Sequence, residues 1–453
     1  MNNEFGDLSF WFDSLGELAD RIPDELPSDT DVAIIGAGFT GLWTAYYLKR
    51  LDPTRDITVI EAHTPGYGAS GRNGGWCMGE AAGIDAYLSN PRTREGGRVL
   101  QQQMFDTVNE IGRVCQAENV DCHYAKGGWL HVARYPFQVE RLRSWVAEKY
   151  RQGCAEEDYR WLEAREAGTR LSYAGGLGAV YARNCAVVQP ARLVRGLADT
   201  VRKLGVRVIE NTTAVELQSR KIVTTKGTLR CRDVLRATEG YTSTLKGHGR
   251  TLLPLYSMIV ATEPLPDTVW QEIGLQEREV FDDPRRLVIY GQRTLDNRMV
   301  LGGRASYEFA SGIRRSIGPD DHHVQAVKQI LLDIFPQLSN YQITHGWGGL
   351  MGVPRHWRPS VHYHRNSGMG WAGGYVGEGV AAANLAARTL VDLVLGRDTL
   401  RTRLPWVDDL PRRWEPEPLR WLGSKSLRWM NYRADAAEAR TGQPARPWHW
   451  ITG

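Results

Sequence analysis

Apolar residues along the chain predict alternating strands and helices. Residues 32–35 form a continuous apolar run of strand length, residues 42–50 have helical spacing, and residues 57–60 form a second buried strand. Further helices are predicted over residues 91–119, 136–151, 190–203, 322–335 and 381–395. Strands and helices that alternate in this way are typical of an α/β fold.

Short strands dominate the middle of the chain. They are predicted over residues 123–133, 206–209, 214–217, 221–225, 228–231, 233–237, 257–262, 287–290 and 298–302. Because the last three flank one helix, they predict an antiparallel sheet with a helical cover. We therefore predict a doubly wound, Rossmann-like α/β domain with an inserted antiparallel-sheet domain. The predicted boundaries are a lead segment (1–30), the first domain (31–90, 185–250 and 345–400), the inserted domain (91–184 and 251–344), and a tail rich in tryptophan and arginine (401–453).

The first strand, helix and second strand carry a glycine motif. Gly36 permits a tight turn, Gly38 lets the backbone approach a pyrophosphate, and Gly41 lets the helix pack closely on the strand. The helix N-terminus offers unpaired N–H groups and a positive dipole end to phosphates. Glu61, at the end of the second strand, can accept hydrogen bonds from ribose hydroxyls. The complete unit predicts a dinucleotide site; a glycine turn without a phosphate is the alternative.

Two more glycine-rich stretches follow the same logic. Residues 64–75 contain too much glycine and proline for a helix or strand, and their polar side chains suit a loop against a ligand. A flexible surface loop is the alternative. Residues 370–380 repeat the order strand, glycine turn and helix, and the helix ends at Gly396. They predict a second helix N-terminus that can face a negative group.

Composition excludes several classes of function. Hydrophobic residues make up 42% of the 453 residues, charged residues make up 24%, and the net charge is only +4, so nothing indicates a nucleic-acid partner. The six cysteines form no CxxC pair, and neither they nor the histidines have metal-ligand spacing, so we predict free thiols, no metal and a cytoplasmic location. No signal peptide or membrane span is predicted.

Four motifs together resemble the D-amino-acid oxidase superfamily of FAD-dependent amine oxidoreductases. They are GAGFTG…VIE, GASGRNGG, ATEGY and GGYVGEGV, and the resemblance runs from about residue 9 to residue 396. Within the superfamily, the SFWF lead, the GASGRNGG loop and the WGGLMG segment look most like gamma-glutamylputrescine oxidases. The resemblance implies that the dinucleotide is FAD. Relatives with covalent flavin use a cysteine or histidine in particular loops. Because no cysteine follows Cys231, a link to a C-terminal cysteine is excluded, and we expect the FAD to be bound noncovalently.

The resemblance also assigns residues to the cofactor. The expected FAD contacts are Gly36, Gly38, Phe39, Thr40, Gly41, Glu61, Ala62, Ala69, Ser70, Arg72, Asn73, Gly74, Gly75, Val215, Ala237, Thr238, Gly240, Gly374, Tyr375, Gly377, Glu378, Gly379 and Val380. In this assignment the first glycine unit holds the adenosine end. The turn before residues 381–395 lies beside the flavin ring, where a helix N-terminus stabilises negative charge on the reduced flavin.

The implied chemistry is oxidation of a primary or secondary amine by hydride transfer to the flavin. The product imine hydrolyses to a carbonyl compound, and O2 is reduced to H2O2. The amine must bind unprotonated, which an apolar or aromatic cage favours. Candidates for this cage are Tyr256, Tyr290, Trp347, Met351, His356 and Tyr375, each with core packing as the alternative. Arg304 is a candidate for a substrate carboxylate, with a structural ion pair as the alternative.

Three other functions stay open at this stage. Some relatives activate oxygen with a lysine in the inserted sheet, but residues 285–304 contain none, so a dehydrogenase with another acceptor is one alternative. A flavin monooxygenase and a non-catalytic flavin-binding subunit are the others. A small-molecule amine and O2 or another acceptor are the predicted partners, and the predicted state is a monomer or homodimer.

The tail has the pattern of a basic amphipathic helix over residues 419–440. Such a helix can lie on a membrane surface. Because Asp435 and Glu438 interrupt its polar face, we instead predict that the tail packs on its own protein or across a dimer.

Overall fold

A computed structural model describes residues 5–16 and 25–445, except for the side chains of residues 304–306. The helices are α1 (Phe10–Asp13), α2 (Phe39–Leu51), α3 (Ile84–Ser89), α4 (Arg94–Ala117), α5 (Pro136–Arg151), α6 (Ala164–Arg170), α7 (Pro190–Lys203), α8 (Asp267–Ile273), α9 (His322–Ile334), α10 (Gly379–Leu395) and α11 (Leu419–Thr441). The strands are β1 (Asp29–Ile35), β2 (Ile57–Ile60), β3 (Trp76–Met78), β4 (Trp129–Ala133), β5 (Tyr159–Glu163), β6 (Gly178–Ala182), β7 (Cys185–Val187), β8 (Arg207–Ile209), β9 (Ala214–Gln218), β10 (Lys221–Thr224), β11 (Gly227–Arg236), β12 (Leu253–Thr262), β13 (Val280–Asp282), β14 (Ile289–Arg293), β15 (Met299–Tyr307), β16 (Ile343–Val353), β17 (Ser360–His364) and β18 (Met369–Gly373).

The first sheet has the order β17–β18–β11–β1–β2–β8, with the β9–β10 hairpin beside β11. Strand β1 pairs in parallel with both β2 and β11, and β11 pairs in parallel with β18. Helices α2, α4, α7 and α10 share one apolar core with this sheet. Because parallel strands present their carboxyl ends at one edge, the turns after β1, β2, β11 and β18 meet there.

The second sheet has the order β16–β12–β15–β14–β13–β4–β6–β5 and is mostly antiparallel. Helix α9 packs on β12 and β15, and its Val324, Val327 and Leu331 belong to the core on that face. The predicted fold class, an α/β domain with an antiparallel-sheet domain, is confirmed.

Several predicted boundaries need correction. The strands predicted over 228–231 and 233–237 are one strand, β11, and the strand predicted from residue 123 begins only at Trp129. Helix α4 was assigned to the inserted domain, yet its Leu100, Met104 and Val108 lie in the core of the first sheet. Residues 345–353 were assigned to the first domain, but β16 pairs with β12 of the second sheet. The periodicity of apolar residues predicts whether a segment is a helix or a strand. The domain to which that segment belongs depends on packing between residues distant in sequence.

The described part of the lead segment packs against the second sheet, helix α7 and the loop over residues 64–75. Phe10, Trp11 and Phe12 are buried in one cluster that includes Tyr67 and Trp347. Ser9 Oγ donates a hydrogen bond to the carbonyl of Gly71 at 2.8 Å. The lead segment therefore supports the loop over residues 64–75 from outside. Within the described chain, no helix combines the length and apolar character that a membrane crossing requires.

Candidate active site

A long cavity lies between the two sheets, with an empty volume of about 1940 Å³ including its open mouth. The turns at the carboxyl ends of β1, β2 and β11 and the N-termini of α2 and α10 form one side. Side chains from β12, β13, β14 and β16 form the other. The cavity therefore reaches from the glycine motif to the inserted sheet, as a dinucleotide with a substrate beyond it requires.

The first glycine turn leaves no room for side chains. Gly36 has φ +105°, and a Cβ there would lie 2.6 Å from the carbonyl oxygen of Ala237. A Cβ at Gly41 would lie 1.9 Å from the carbonyl oxygen of Gly36. Helix α2 begins at Phe39 without a side-chain cap, although the Phe39 N–H donates to Ser70 Oγ at 2.8 Å. The start of α2 thus offers the backbone N–H groups and dipole that bind a phosphate.

Glu61 is held at the end of β2 by backbone donors. One of its oxygens accepts from the Ala37 N–H at 2.8 Å, and the other accepts from the His63 N–H at 3.0 Å. Desolvation raises the pKa of Glu61 to about 7, and the nearby Glu210 acts in the same direction. The carboxyl group lines the cavity and retains lone pairs for ribose hydroxyls.

Arg72 anchors the loop over residues 64–75. Its Nε donates to the carbonyl of Tyr67 at 2.7 Å, and its Nη1 donates to the carbonyl of Arg315 at 2.9 Å. Its Nη2 is buried and has no hydrogen-bond partner in the described part of the chain, although the residue lines the cavity. A buried donor without a partner is costly, so this atom fits a bound acceptor such as a pyrophosphate.

The second glycine turn, before α10, is held by Glu239. The Glu239 carboxylate accepts from the N–H groups of Gly374 at 3.0 Å and Tyr375 at 3.2 Å. The Tyr375 hydroxyl lies 2.9 Å from Thr40 Oγ1 of α2. The N-termini of α2 and α10 are therefore joined across one end of the cavity.

Most of the predicted cofactor residues are brought together. The cavity is lined by Gly36, Gly38, Phe39, Thr40, Glu61, Ala62, Ala69, Ser70, Arg72, Asn73, Gly74, Ala237, Thr238, Tyr375, Gly377, Glu378, Gly379 and Val380. Their roles toward FAD stay predictions, but the shared cavity gives them a common geometry.

Five predicted cofactor residues are not among the residues that line the cavity. Gly41 and Gly75 support the backbone, since a Cβ at either would come within 2.4 Å of a carbonyl oxygen. Gly240 packs on Leu350, and Gly374 packs on Pro354. Val215 is not brought to the cavity; its side chain is 47% exposed. The neighbouring Thr212, Thr213 and Ala214 line the cavity in its place.

The predicted substrate residues divide in the same way. Tyr290, Met351 and Tyr375 line the cavity. Trp347 does not, because its Nε1 donates to the carbonyl of Arg72 at 2.9 Å and its ring packs on Trp11.

Tyr256 and His356 also lie outside the cavity lining. The Tyr256 hydroxyl accepts from the Arg314 N–H at 2.6 Å, and His356 Nε2 lies 3.0 Å from the carbonyl oxygen of Asp409. The backbone of Arg304 lies in β15, but its side chain is outside the described residues. Its proposed carboxylate contact therefore stays a prediction.

Several lining residues were missed by sequence reasoning. Glu239 belongs to the ATEGY motif and lies between the predicted Thr238 and Gly240, but it was not itself assigned to the cofactor. On the second sheet, the missed lining residues are Ser257, Ile259, Asp282, Val288, Ile289, Gly349 and Leu350; Trp76 and Met78 come from β3. Gly349 and Leu350 lie in the WGGLMG segment but were not assigned a contact, and the other residues belong to no quoted motif. Pairing between strands distant in sequence, which no local pattern reports, brings them together. No group of three or more potential metal ligands was found among the described residues.

Comparison with known proteins gives the site a context. The family model for DAO, "FAD dependent oxidoreductase", matches residues 31–393. The probable oxidoreductase OrdL of Rhizobium meliloti is 31% identical over 381 residues, which cover 82% of this chain and 84% of the relative. The gamma-glutamylputrescine oxidoreductase of Escherichia coli is 27% identical over 376 residues, which cover 81% of this chain and 84% of the relative. The crystal structure of glycine oxidase from Geobacillus kaustophilus shares the fold, with a TM-score of 0.71, 19% sequence identity, and coverage of 86% of this chain and 100% of that one.

Proposed function

The chain belongs to the DAO family of FAD-dependent oxidoreductases, and on that premise we propose that it oxidises a primary or secondary amine to an imine. The imine then hydrolyses to a carbonyl compound. Bound FAD supplies the acceptor for the hydride that leaves the carbon next to nitrogen. We include O2 as the final acceptor, reduced to H2O2, and a cytoplasmic location in the same proposal. The described cysteines are all free thiols, which supports that location.

One observation carries the proposal: a single cavity joins both helix N-termini to a mainly apolar wall on the second sheet that includes Tyr290. The adenosine end falls at Glu61 and the start of α2, and the N-terminus of α10 lies near Tyr375. An uncapped helix N-terminus stabilises negative charge without rearrangement, which suits the reduced form of the cofactor.

The opposite wall is suited to a neutral amine. The Tyr290 ring extends from β14 to the loop over residues 64–75 and occupies space left by two glycines, Gly74 of that loop and Gly302 of β15. A Cβ at Gly74 would lie 2.3 Å from the ring, and one at Gly302 would lie 2.2 Å from it. The Tyr290 hydroxyl lies 2.7 Å from Ser257 Oγ. Met351 adds apolar surface. Such a wall excludes water and favours the unprotonated nitrogen that the reaction needs.

Anaerobic mixing of the FAD-loaded protein with a panel of amines tests the proposal. We expect the flavin absorbance to bleach with at least one amine, and peroxide to form when oxygen is readmitted. Bleaching without peroxide would identify a dehydrogenase, the alternative favoured by the absence of lysine from residues 285–304. Rapid bleaching by NADPH instead would indicate a monooxygenase, and no bleaching by any amine would favour a non-catalytic subunit.

A further inference from the structure

Three polar side chains form a row across neighbouring strands of the second sheet. Phe281 of β13 is paired with Gly291 of β14, which places Asp282 opposite Tyr290. Asp282 is also the register partner of His131 in the parallel strand β4. Residues at paired positions share a face of the sheet, so Tyr290, Asp282 and His131 follow one another across it. Asp282 and Tyr290 line the cavity.

The hydrogen bonds of Asp282 are confined to one oxygen. Its Oδ1 accepts from Trp129 Nε1 at 2.8 Å and is hydrogen-bonded to His131 Nδ1. No hydrogen bond to its Oδ2 is found within the described part of the chain, and the side chain is 13% exposed. The donors on Oδ1 fix the orientation of the carboxylate, and they leave a second oxygen for whatever enters the cavity.

The neighbouring carboxylate shows what a purely structural role looks like. Both oxygens of Asp283 are used within the protein: Arg285 Nε donates to Oδ1 and Arg285 Nη2 to Oδ2, each at 2.6 Å. The Tyr173 hydroxyl also donates to Oδ2 at 2.8 Å. Asp283 does not line the cavity. Of the two adjacent aspartates, therefore, only Asp282 keeps a carboxylate oxygen without a hydrogen-bond partner in the described part of the chain.

The surroundings of Asp282 favour a positively charged ligand. Among the described residues on the second-sheet side of the cavity, the other lining residues are uncharged, and Trp76 and Tyr290 add aromatic surface. Arg72 also lines the cavity, but two of its nitrogens are bound to the carbonyls of Tyr67 and Arg315. A carboxylate in an apolar wall is compensated best by a cation that donates a hydrogen bond, and aromatic faces attract the same ligand.

We propose that Asp282 binds a second, non-reacting cationic nitrogen of the amine substrate. The inference rests on the proposed function. The reacting nitrogen must be unprotonated, and a carboxylate would stabilise its protonated form, so Asp282 suits a different nitrogen. The substrate class is therefore an amine that carries a distal ammonium group, such as a diamine or an amine ending in an α-amino group. A simple monoamine leaves the free oxygen of Asp282 unpaired.

Titration of the FAD-loaded enzyme with two probes that share a four-carbon chain and differ in the second amino group tests this inference. Binding of 1,4-diaminobutane and n-butylamine is followed by the change in flavin absorbance. For the wild type we expect the diamine to bind at least about tenfold more tightly, as a charge-assisted hydrogen bond predicts. Asp282→Asn should reduce this preference to about twofold or less. Asp283→Asn is the matched control, and it should keep the wild-type preference because its side chain lies away from the cavity.

The outcomes separate the inference from the proposed function. A wild type that binds both probes equally, or an Asp282→Asn variant that keeps the preference, overturns the inference. FAD content and melting temperature show whether each variant is folded. Should Asp282→Asn fail to fold, N-acetyl-1,4-diaminobutane, in which the distal nitrogen is uncharged, serves as a third probe for the wild type. It should lose the advantage of the diamine over n-butylamine; binding as tight as that of the diamine would contradict the inference. Selective diamine binding without flavin reduction by any amine would reject the proposed function and leave the cation site standing.

Discussion

Asp435 in helix α11 accepts a hydrogen bond from the backbone N–H of Leu287 at 2.9 Å, although 148 residues separate them in sequence. Its other oxygen accepts from the Arg286 N–H at 2.9 Å, and Glu438 bonds the Arg286 guanidinium at 2.7 Å. These residues lead into β14 and Tyr290. The two acids that interrupted the predicted polar face of the tail therefore hold the segment behind the cavity, and packing on its own protein is the observed arrangement for α11.

Replacing Asp435 with alanine should loosen the segment that leads into β14 and so the wall of the cavity that carries Tyr290. Two backbone N–H groups would lose their acceptor, so we expect the free energy of unfolding to fall by roughly 1–2 kcal/mol. We also expect KM for the amine to rise while FAD content stays constant. Urea denaturation and steady-state kinetics measure the two effects. Asp398→Ala, at an exposed ion pair with Arg403, is the control. Unchanged stability and KM in Asp435→Ala would contradict the role of α11.

Glu61 should make the stability of the FAD-free protein depend on pH. Its pKa rises from 4.5 to about 7 on folding. Between these values the folded chain holds a proton that the unfolded chain has released, so stability falls as pH rises from about 4.5 to 7. Because the carboxyl group faces an open cavity, we expect a change on the order of 1 kcal/mol.

Urea denaturation of the FAD-free protein at several pH values measures this dependence. Glu61→Gln should flatten it in part, and Glu239→Gln should flatten it further, because desolvation also raises the pKa of Glu239 to about 7. The predicted sign would be wrong if the free energy of unfolding of the wild type rose from about pH 4.5 to 7 and Glu61→Gln removed that rise.

Glu239→Gln should weaken FAD binding through the turn before α10. Glutamine keeps one acceptor oxygen, so one of the bonds from the Gly374 and Tyr375 N–H groups is lost. We expect the dissociation constant of FAD to rise about tenfold, measured by flavin fluorescence. Glu272→Gln, at an exposed position of α8, should leave it unchanged. A Glu239→Gln variant with reduced stability but wild-type FAD affinity would limit Glu239 to a structural role.

Two adjacent glycines in β15 allow a test of whether the Tyr290 ring forms part of the substrate wall. A Cβ at Gly302 would lie 2.2 Å from the Tyr290 ring, whereas the nearest atom to a Cβ at Gly303 is 3.5 Å away. Gly302→Ala should therefore displace the ring and lower kcat/KM for the amine by tenfold or more, roughly 1.4 kcal/mol in transition-state stabilisation. Gly303→Ala should have little effect. Equal kinetics for the two variants would remove Tyr290 from the substrate wall.

The sequence predicts the cofactor side of the site better than the substrate side, for a physical reason. Gly36 and Glu61 act through backbone geometry within one strand–helix–strand unit, so a local pattern is enough to find them. Asp282 becomes recognisable only through His131, 151 residues away, and no local pattern reports that pairing. Trp347 was a candidate for the substrate cage, but its ring packs on Trp11 of the lead segment, a contact between residues 336 positions apart that no local pattern reports.

The hydrogen bond between Thr40 and Tyr375 has a consequence for the biosynthesis of the protein. The two residues lie 335 positions apart, and each belongs to a turn at the same end of the cavity. During translation the first turn leaves the ribosome long before the second exists, and Val234 of β11 is followed by its partner Met369 of β18 only 135 positions later. A nascent chain therefore has no complete binding site for its cofactor. We therefore expect FAD loading to follow the synthesis of α10, and a chain cut short before that helix to be released without flavin.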